Sequence, residues 1–387
     1  MKGETAMPEF YDRFLPDPFL KKDGTRIQNP AEWPVQAAYI RELAAENMYG
    51  AWPGKPASVT ATVTGTKEEY FGKAIREAIT LTIDDRYPVT VEYIRPMASG
   101  KHPIIVYNSS RLGMKSRLEF DAVVTAGYGI ASFDREMIRP DLQFAKYAGY
   151  EEEAKNREYP DLPCGDIMAW AWGHSVIADW LGTMEDTGVL ICTGHSRGGK
   201  AALCAGIFDD RFQVVAPIGS GCGGLGCARF SGTLALDKQD EIKCETIGRM
   251  AHAFPTWMNE KYATFGTQED PFPIGDEVNH FPLDAHMLRA ACAPRAVFNS
   301  EGTEDFWANS FGTQLCRDAA QKVFEFLGVP DRNVFHIRPG IHDYNHSDWA
   351  ALIDFCDIVL HRERKLPQGG SMACPYVIDL KKYALWA

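Results

Sequence analysis

The sequence contains no run of about 18 or more apolar residues, the length a bilayer-spanning helix requires, so no membrane partner is expected. Its ten cysteines include no CxxC pair, the closest two being Cys222 and Cys227. Neither a zinc site nor a disulfide framework is therefore expected, and buried thiols in a reducing compartment are. Basic residues are in short supply: 40 Lys+Arg stand against 52 Asp+Glu, for a net charge of −12. That balance argues against nucleic acid and against an anionic membrane surface as partners. Internal repeats, low-complexity segments and Ser/Gly linkers are missing too. Residues 1–387 are accordingly expected to form a single domain, with an N-terminal elaboration over about 1–95, a core over about 96–362 and a tail at 363–387. The start, MKGETAMPEFYDRFLPDPFLKKDG, has no apolar core ahead of a small-residue cleavage site, which leads to an expected cytoplasmic location.

What is present is a regular α/β pattern. Asn29-Pro30-Ala31-Glu32-Trp33 reads as a capped helix start, with proline at the first helical position. Residues 58–66 and 77–94 alternate β-branched and polar side chains, as half-buried strands do. From residue 103 short apolar runs take over, at 103–107, 122–127, 129–133, 188–194, 213–219, 295–300 and 334–338. Helical stretches lie between them, notably 165–185 and 312–327. Continuous apolar strands separated by helices predict a mostly parallel sheet covered on both faces.

One motif in this pattern carries chemistry. Gly194-His195-Ser196-Arg197-Gly198 sits between the apolar run GVLICT and the Ala-rich helical stretch KAALCAGIF. That is the strand–turn–helix context of a nucleophile elbow, in which the serine backbone is strained and the glycines admit close packing. A serine hydroxyl needs a base, and the base an orienting acid, in the chain order Ser, acid, His for an α/β hydrolase. Among His252, His280, His286, His336, His342, His346 and His361, His342 is favoured because it follows the last strand on a loop, with His346 as its competitor. The run at 295–300 leads into Glu301, Glu304 and Asp305; Asp305 is favoured as the acid on loop placement, ahead of Glu301 and then Glu304. Asn108-Ser109-Ser110 follows another strand, where such folds draw a second oxyanion N–H, so Ser109 is a candidate for it. Asp284 and His286 form an Asp-x-His pair with no third ligand at metal spacing and are read as a structural pair.

The stretches Ser196-Arg197-Gly198-Gly199-Lys200-Ala201, Asp209-Asp210-Arg211 and Gly219-Ser220-Gly221-Cys222-Gly223-Gly224 resemble the glucuronoyl esterase family and its bacterial relatives. So do Ala169-Trp170-Ala171-Trp172, Phe254-Pro255-Thr256-Trp257, Pro282 to His286, Ala293-Pro294-Arg295 and Gly340 to Trp349, over about residues 25–360. The resemblance implies an α/β-hydrolase fold and a serine esterase acting on a glucuronoyl or other small ester, with no metal and no cofactor. It implies Ser196 as nucleophile and His342 as base, and Arg197 as an oxyanion donor through its N–H and its guanidinium. It also implies that Lys200 contacts sugar hydroxyls and that Trp257 lines the sugar site. Fungal-type members carry a Glu where this chain has Gly219, so the acid is expected from the later loop. Such enzymes are usually exported; a cytoplasmic member is expected to act on a small or oligosaccharide ester. Three rivals stand beside this reading: a deacetylase of acetylated sugars with the same triad, a catalytically idle hydrolase-like binding protein, and an enzyme that transfers the acyl group to a sugar or amine instead of water.

Overall fold

The β-branched residues between positions 59 and 96 form three antiparallel strands, β1 (Val59–Glu69), β2 (Ala74–Ile83) and β3 (Tyr87–Pro96), in the computed structural model, which describes residues 13–110, 117–231, 244–270, 272–361 and 376–387. The stretch 77–94 is therefore a hairpin. It turns through the three residues Asp84, Asp85 and Arg86, the first two at positive φ (51° and 55°), a conformation that short Asp side chains tolerate.

The apolar runs supply the remaining strands: β4 (His102–Ser109), β5 (Gly129–Asp134), β6 (Thr187–His195), β7 (Phe212–Ile218), β8 (Ala296–Gly302) and β9 (Asn333–Arg338). They build one nine-stranded sheet in the order β1-β2-β3-β5-β4-β6-β7-β8-β9. β3 joins β5 antiparallel, and every pairing from β5 onward is parallel. The N-terminal elaboration thus extends the core sheet along one edge.

The helices are α1 (Trp33–Ala44), α2 (Arg117–Thr125), α3 (Leu142–Ala148), α4 (Glu151–Lys155), α5 (Asp166–Leu181), α6 (Arg197–Phe208), α7 (Ile247–Ala253), α8 (Glu260–Ala263), α9 (Ala285–Ala290), α10 (Ser310–Phe326) and α11 (His346–Val359). Just before α1, Asn29 caps the turn Pro30–Glu32 reciprocally with Glu32. Alternate residues of β4 enter different cores. Ile104 and Val106 pack with α1, α5, α6 and part of α10, whereas Ile105 and Tyr107 pack with α2 and α11. One expected strand fails: most of 122–127 is the end of α2, with Val123 in the same core as Trp349 and Leu352. A short continuous apolar run has the same composition in a buried helix as in a buried strand, so periodicity does not separate them.

The nine described cysteines are free thiols; eight are buried and Cys164 is half-buried. No described helix is long and apolar enough to cross a membrane. The tail returns over residues 376–387 to close a third apolar cluster around Leu15, Leu315 and Ala384. Trp386 Nε1 donates to the Leu15 carbonyl (2.8 Å), and Tyr376 exchanges backbone bonds with the Gln314 side chain (3.0 and 2.7 Å).

Candidate active site

Ser196 sits between the end of β6 and the first residue of α6 at φ 56°, ψ −123°, a left-handed conformation that an L-residue adopts only under constraint. The constraint is visible. A Cβ on Gly194 would run into the Gly198 carbonyl and the Asn108 amide, and one on Gly198 would meet Asn108 Oδ1. The chain therefore crosses itself at a distance only glycine permits. Asn108, at the end of β4, closes the crossing: its Nδ2 donates to Gly198 O (2.8 Å) and lies 3.1 Å from His174 Nε2. Burial pushes the His174 pKa down to about 4, so the ring is neutral. With Nδ1 on the Trp170 carbonyl (3.2 Å), its Nε2 is left to accept the second Asn108 amide proton. The Ser196 N–H bonds the Ile218 carbonyl on β7 (2.9 Å), fixing the elbow to the sheet. The first-turn N–H groups of α6, which have no helical partners, open onto the space beside Ser196.

Two loops bring the other candidates to the elbow. Asp305 follows β8 and His342 follows β9. His342 Nδ1 lies 2.7 Å from Asp305 Oδ2, and Asp305 Oδ1 accepts the Ala308 N–H (3.0 Å), so the carboxylate is held at both oxygens. The His342 ring stands against the elbow, its centroid 4.5 Å from that of His195. Arg338 anchors this loop, with Nε on both oxygens of Asp348 (2.8 Å each) and Nη2 on the Asp343 carbonyl (2.7 Å). The rivals fall elsewhere. His346 is exposed at the first residue of α11, and His336 is buried on β9 against Ser300 Oγ (2.8 Å). Glu304 is exposed. Glu301 is 1% exposed, beside Thr313 but with no well-aligned hydrogen bond among the described residues. Burial, reinforced by the Asp305 charge, raises its pKa far above the usual carboxylate range, so it is a neutral acid. Gly219, where fungal-type members place an acid, has φ 52°; a Cβ there would lie 3.3 Å from His195 Nε2 and 3.4 Å from His342 Cε1. That position thus faces the same imidazole that Asp305 holds.

The remaining expected site residues lie deeper. The Arg197 guanidinium is paired with Asp141 and enclosed by the rings of Trp257 (4.8 Å), Phe144 (5.4 Å) and Phe254 (5.4 Å). Lys200 is 1% exposed, its Nζ bonded to Glu245 Oε2 and the Ser220 carbonyl (2.6 Å each), so it lies beneath the site as a buried ion pair. That departs from the expected ammonium facing sugar hydroxyls. Trp257 corrects the expectation of a sugar-site wall: it is 2% exposed, stacked on Phe254 at 3.8 Å, and forms the floor under Arg197 and Lys200. Ser109 ends β4 beside Asp134 and is buried, and residues 111–116 that follow it lie outside the described residues. On the Asp305 loop Trp307 is instead exposed (42%), and its carbonyl accepts the Glu245 N–H (3.0 Å). Sequence reasoning missed Asn108, Asp141, Glu245 and Trp307 as contributors. Only Trp307 carried a local signal, as an aromatic two residues beyond the proposed acid.

The Asp284 and His286 pair is satisfied separately. Asp284 accepts from Arg229 Nη1 (3.0 Å) and from the Ala228 and Ala285 N–H groups (2.9 and 2.7 Å). His286 Nε2 bonds the Pro16 carbonyl (2.8 Å), its pKa pushed down to about 4 by burial. Cys227 and Cys316 lie near Asp284, but that carboxylate's lone pairs are already engaged by these donors, which does not suit a metal ligand.

A sequence model of the fungal glucuronyl esterases matches residues 118–328. The carbohydrate esterase MZ0003 of an unknown prokaryotic organism is 28% identical over 92% of this chain and 90% of its own length. The 4-O-methyl-glucuronoyl methylesterase of Podospora anserina is 29% identical over 82% of this chain and 61% of its own. Among solved structures, a carbohydrate esterase family 15 glucuronoyl esterase from Caldicellulosiruptor kristjansonii matches with a TM-score of 0.73 at 30% identity, over 94% of each chain. With the elbow and the α/β-hydrolase sheet already in place, these matches make the chain a member of the glucuronoyl esterase family of serine carboxylic ester hydrolases.

Proposed function

We propose that the chain hydrolyses esters whose acyl part is a glucuronic acid, with Ser196, His342 and Asp305 as its catalytic triad. The observation that carries this reading is the 2.7 Å His342–Asp305 bond set against a strained serine elbow. Asp305 keeps the His342 proton on Nδ1, which leaves Nε2 free to take the proton of Ser196 Oγ as that oxygen attacks the ester carbonyl. The oxyanion develops at the N-terminus of α6, where the Arg197 N–H and the caged guanidinium both favour negative charge. The His342 imidazolium then passes its proton to the departing alcohol, leaving the acid esterified to Ser196. A water molecule, deprotonated by the same His342, attacks this acyl-enzyme and releases the carboxylic acid and the free serine.

Phe306, Trp307 and Ile341 are exposed on the two loops that carry the acid and the base. The Trp307 ring is a flat apolar face of the kind that packs on a sugar ring, and the Lys200–Glu245 pair braces the backbone behind it. An oligosaccharide or small glucuronoyl ester fits this open rim.

The test compares methyl glucuronate with an acetylated xylo-oligosaccharide, which present the sugar on the acyl and the alcohol side respectively. A kcat/KM for the glucuronate ester at least about tenfold higher is expected, a difference of about 1.4 kcal/mol. The reverse preference would assign the chain to sugar deacetylation.

A further inference from the structure

The triad leaves one adjacent side chain without a role, the histidine immediately before the nucleophile. His195 is the last residue of β6, and two rings of the base loop stand near it. The His342 ring lies with its centroid 4.5 Å away at a 38° tilt, and Tyr344 lies 6.3 Å away at 39°. Tyr344 in turn is stacked on the buried Trp349 of α11 at 4.3 Å and 9°, and its hydroxyl lies 3.2 Å from Thr193 Oγ1 on β6. The rings therefore form a column from the core to the base, in the order Trp349, Tyr344, His195, His342. Gly219 borders the column where the His195 and His342 edges meet, and any side chain at that position would press on both.

Asp305 fixes only one atom of the His342 ring. A single hydrogen bond to Nδ1 leaves the imidazole free to swing about that atom, and a swing of about 1 Å at Nε2 suffices to cost about 100-fold in rate. A second ring packed 4.5 Å from the imidazole, tilted 38° to it, restricts that freedom. We propose that His195 is a positioning residue for the base: its ring, set between His342 and Tyr344, locks the base loop onto the nucleophile elbow so that Nε2 and Oγ keep one geometry. Because His195 adjoins Ser196 in the chain, nucleophile and base are set by the same piece of backbone.

The inference rests on His342 being the base, so His342→Gln is measured alongside. Loss of hydrolysis in His342→Gln with full activity in His195→Ala would overturn the positioning role alone, whereas an active His342→Gln would overturn both. The expected result is a kcat about 100-fold lower in His195→Ala with KM within about twofold, since the ring's proposed action is on the base. His195→Phe keeps the flat face without the nitrogens and is expected to recover kcat to within about tenfold of the parent. Should His195→Ala not fold, as judged by circular dichroism, His195→Leu supplies bulk without a flat face and carries the same expectation. A kcat within threefold of the parent in the variant lacking the flat face, or a Phe variant as slow as it, contradicts the proposal.

Discussion

Replacing Asp305 with Asn changes little in shape and a great deal in charge. The Asn carbonyl oxygen can keep the bond that Oδ1 accepts from the Ala308 N–H, so the loop is expected to stay in place. Its amide, however, would present N–H where Oδ2 now lies 2.7 Å from His342 Nδ1. The imidazole proton is then driven to Nε2, the nitrogen that has to accept the serine proton. The imidazolium formed during catalysis also loses its counter-charge. At charge centres about 4 Å apart and an effective dielectric of about 20, that interaction amounts to about 4 kcal/mol. On the rate scale this is about 10³-fold, and the wrong tautomer raises the expected loss to between about 10³ and 10⁴ in kcat. Steady-state hydrolysis of an aryl ester, with thermal unfolding run in parallel, measures it. A correctly folded Asp305→Asn enzyme within tenfold of the parent would refute the assignment, above all if Glu301→Gln were then the inactive variant.

Other consequences are open to measurement. Gly194→Ala puts a methyl group into the Gly198 carbonyl and the Asn108 amide, so a stability loss of about 1–3 kcal/mol in urea titration is expected, together with loss of esterase activity. Glu301→Gln replaces a carboxyl already held neutral, so kcat is expected to stay within about threefold. Because the folded pKa of Glu301 is raised, the parent loses stability as pH rises above the unfolded value of 4.5, by up to about 1.4 kcal/mol per pH unit. The Tm advantage of Glu301→Gln is therefore expected to widen from pH 5 to pH 9, and a constant difference would contradict the assignment of a neutral acid. His174 and His286 have folded pKa values of about 4 against 6.5 unfolded, so the stability they contribute is complete above pH 6.5 and is lost as pH falls toward 4. Urea midpoints across that range should fall on acidification, and less steeply in His286→Gln.

Where a feature depended on neighbours in the chain, the sequence disclosed it. The elbow Gly194 to Gly198 could be read because strand, strained serine and helix are contiguous, and the parallel strands because each is an unbroken apolar run. Loop placement favours Asp305 over Glu301, and the two lie four positions apart in different surroundings, one bonded to His342 and one buried and neutral. The failures share a different cause. Lys200 and Trp257 look exposed in a motif, but their burial is decided by Glu245, 45 positions away, and by the Arg197 cage. Asp141, which holds Arg197, is 56 positions upstream of it, and no local pattern announces such a pair. The run at 122–127 is helical rather than the expected strand because tertiary packing, rather than periodicity, selects helix there.

In the proposed mechanism Ser196 becomes covalently acylated with help from His342. A fluorophosphonate, which reacts with serines activated in this way, tests it when the adduct is located by peptide mapping. The expected outcome is one adduct per chain on Ser196, esterase activity falling in proportion to labelling, and labelling at least about 100-fold slower in His342→Gln, in line with the usual contribution of a general base. Inactivation with the adduct on another residue, or full labelling of Ser196 with hydrolysis undiminished, would contradict it.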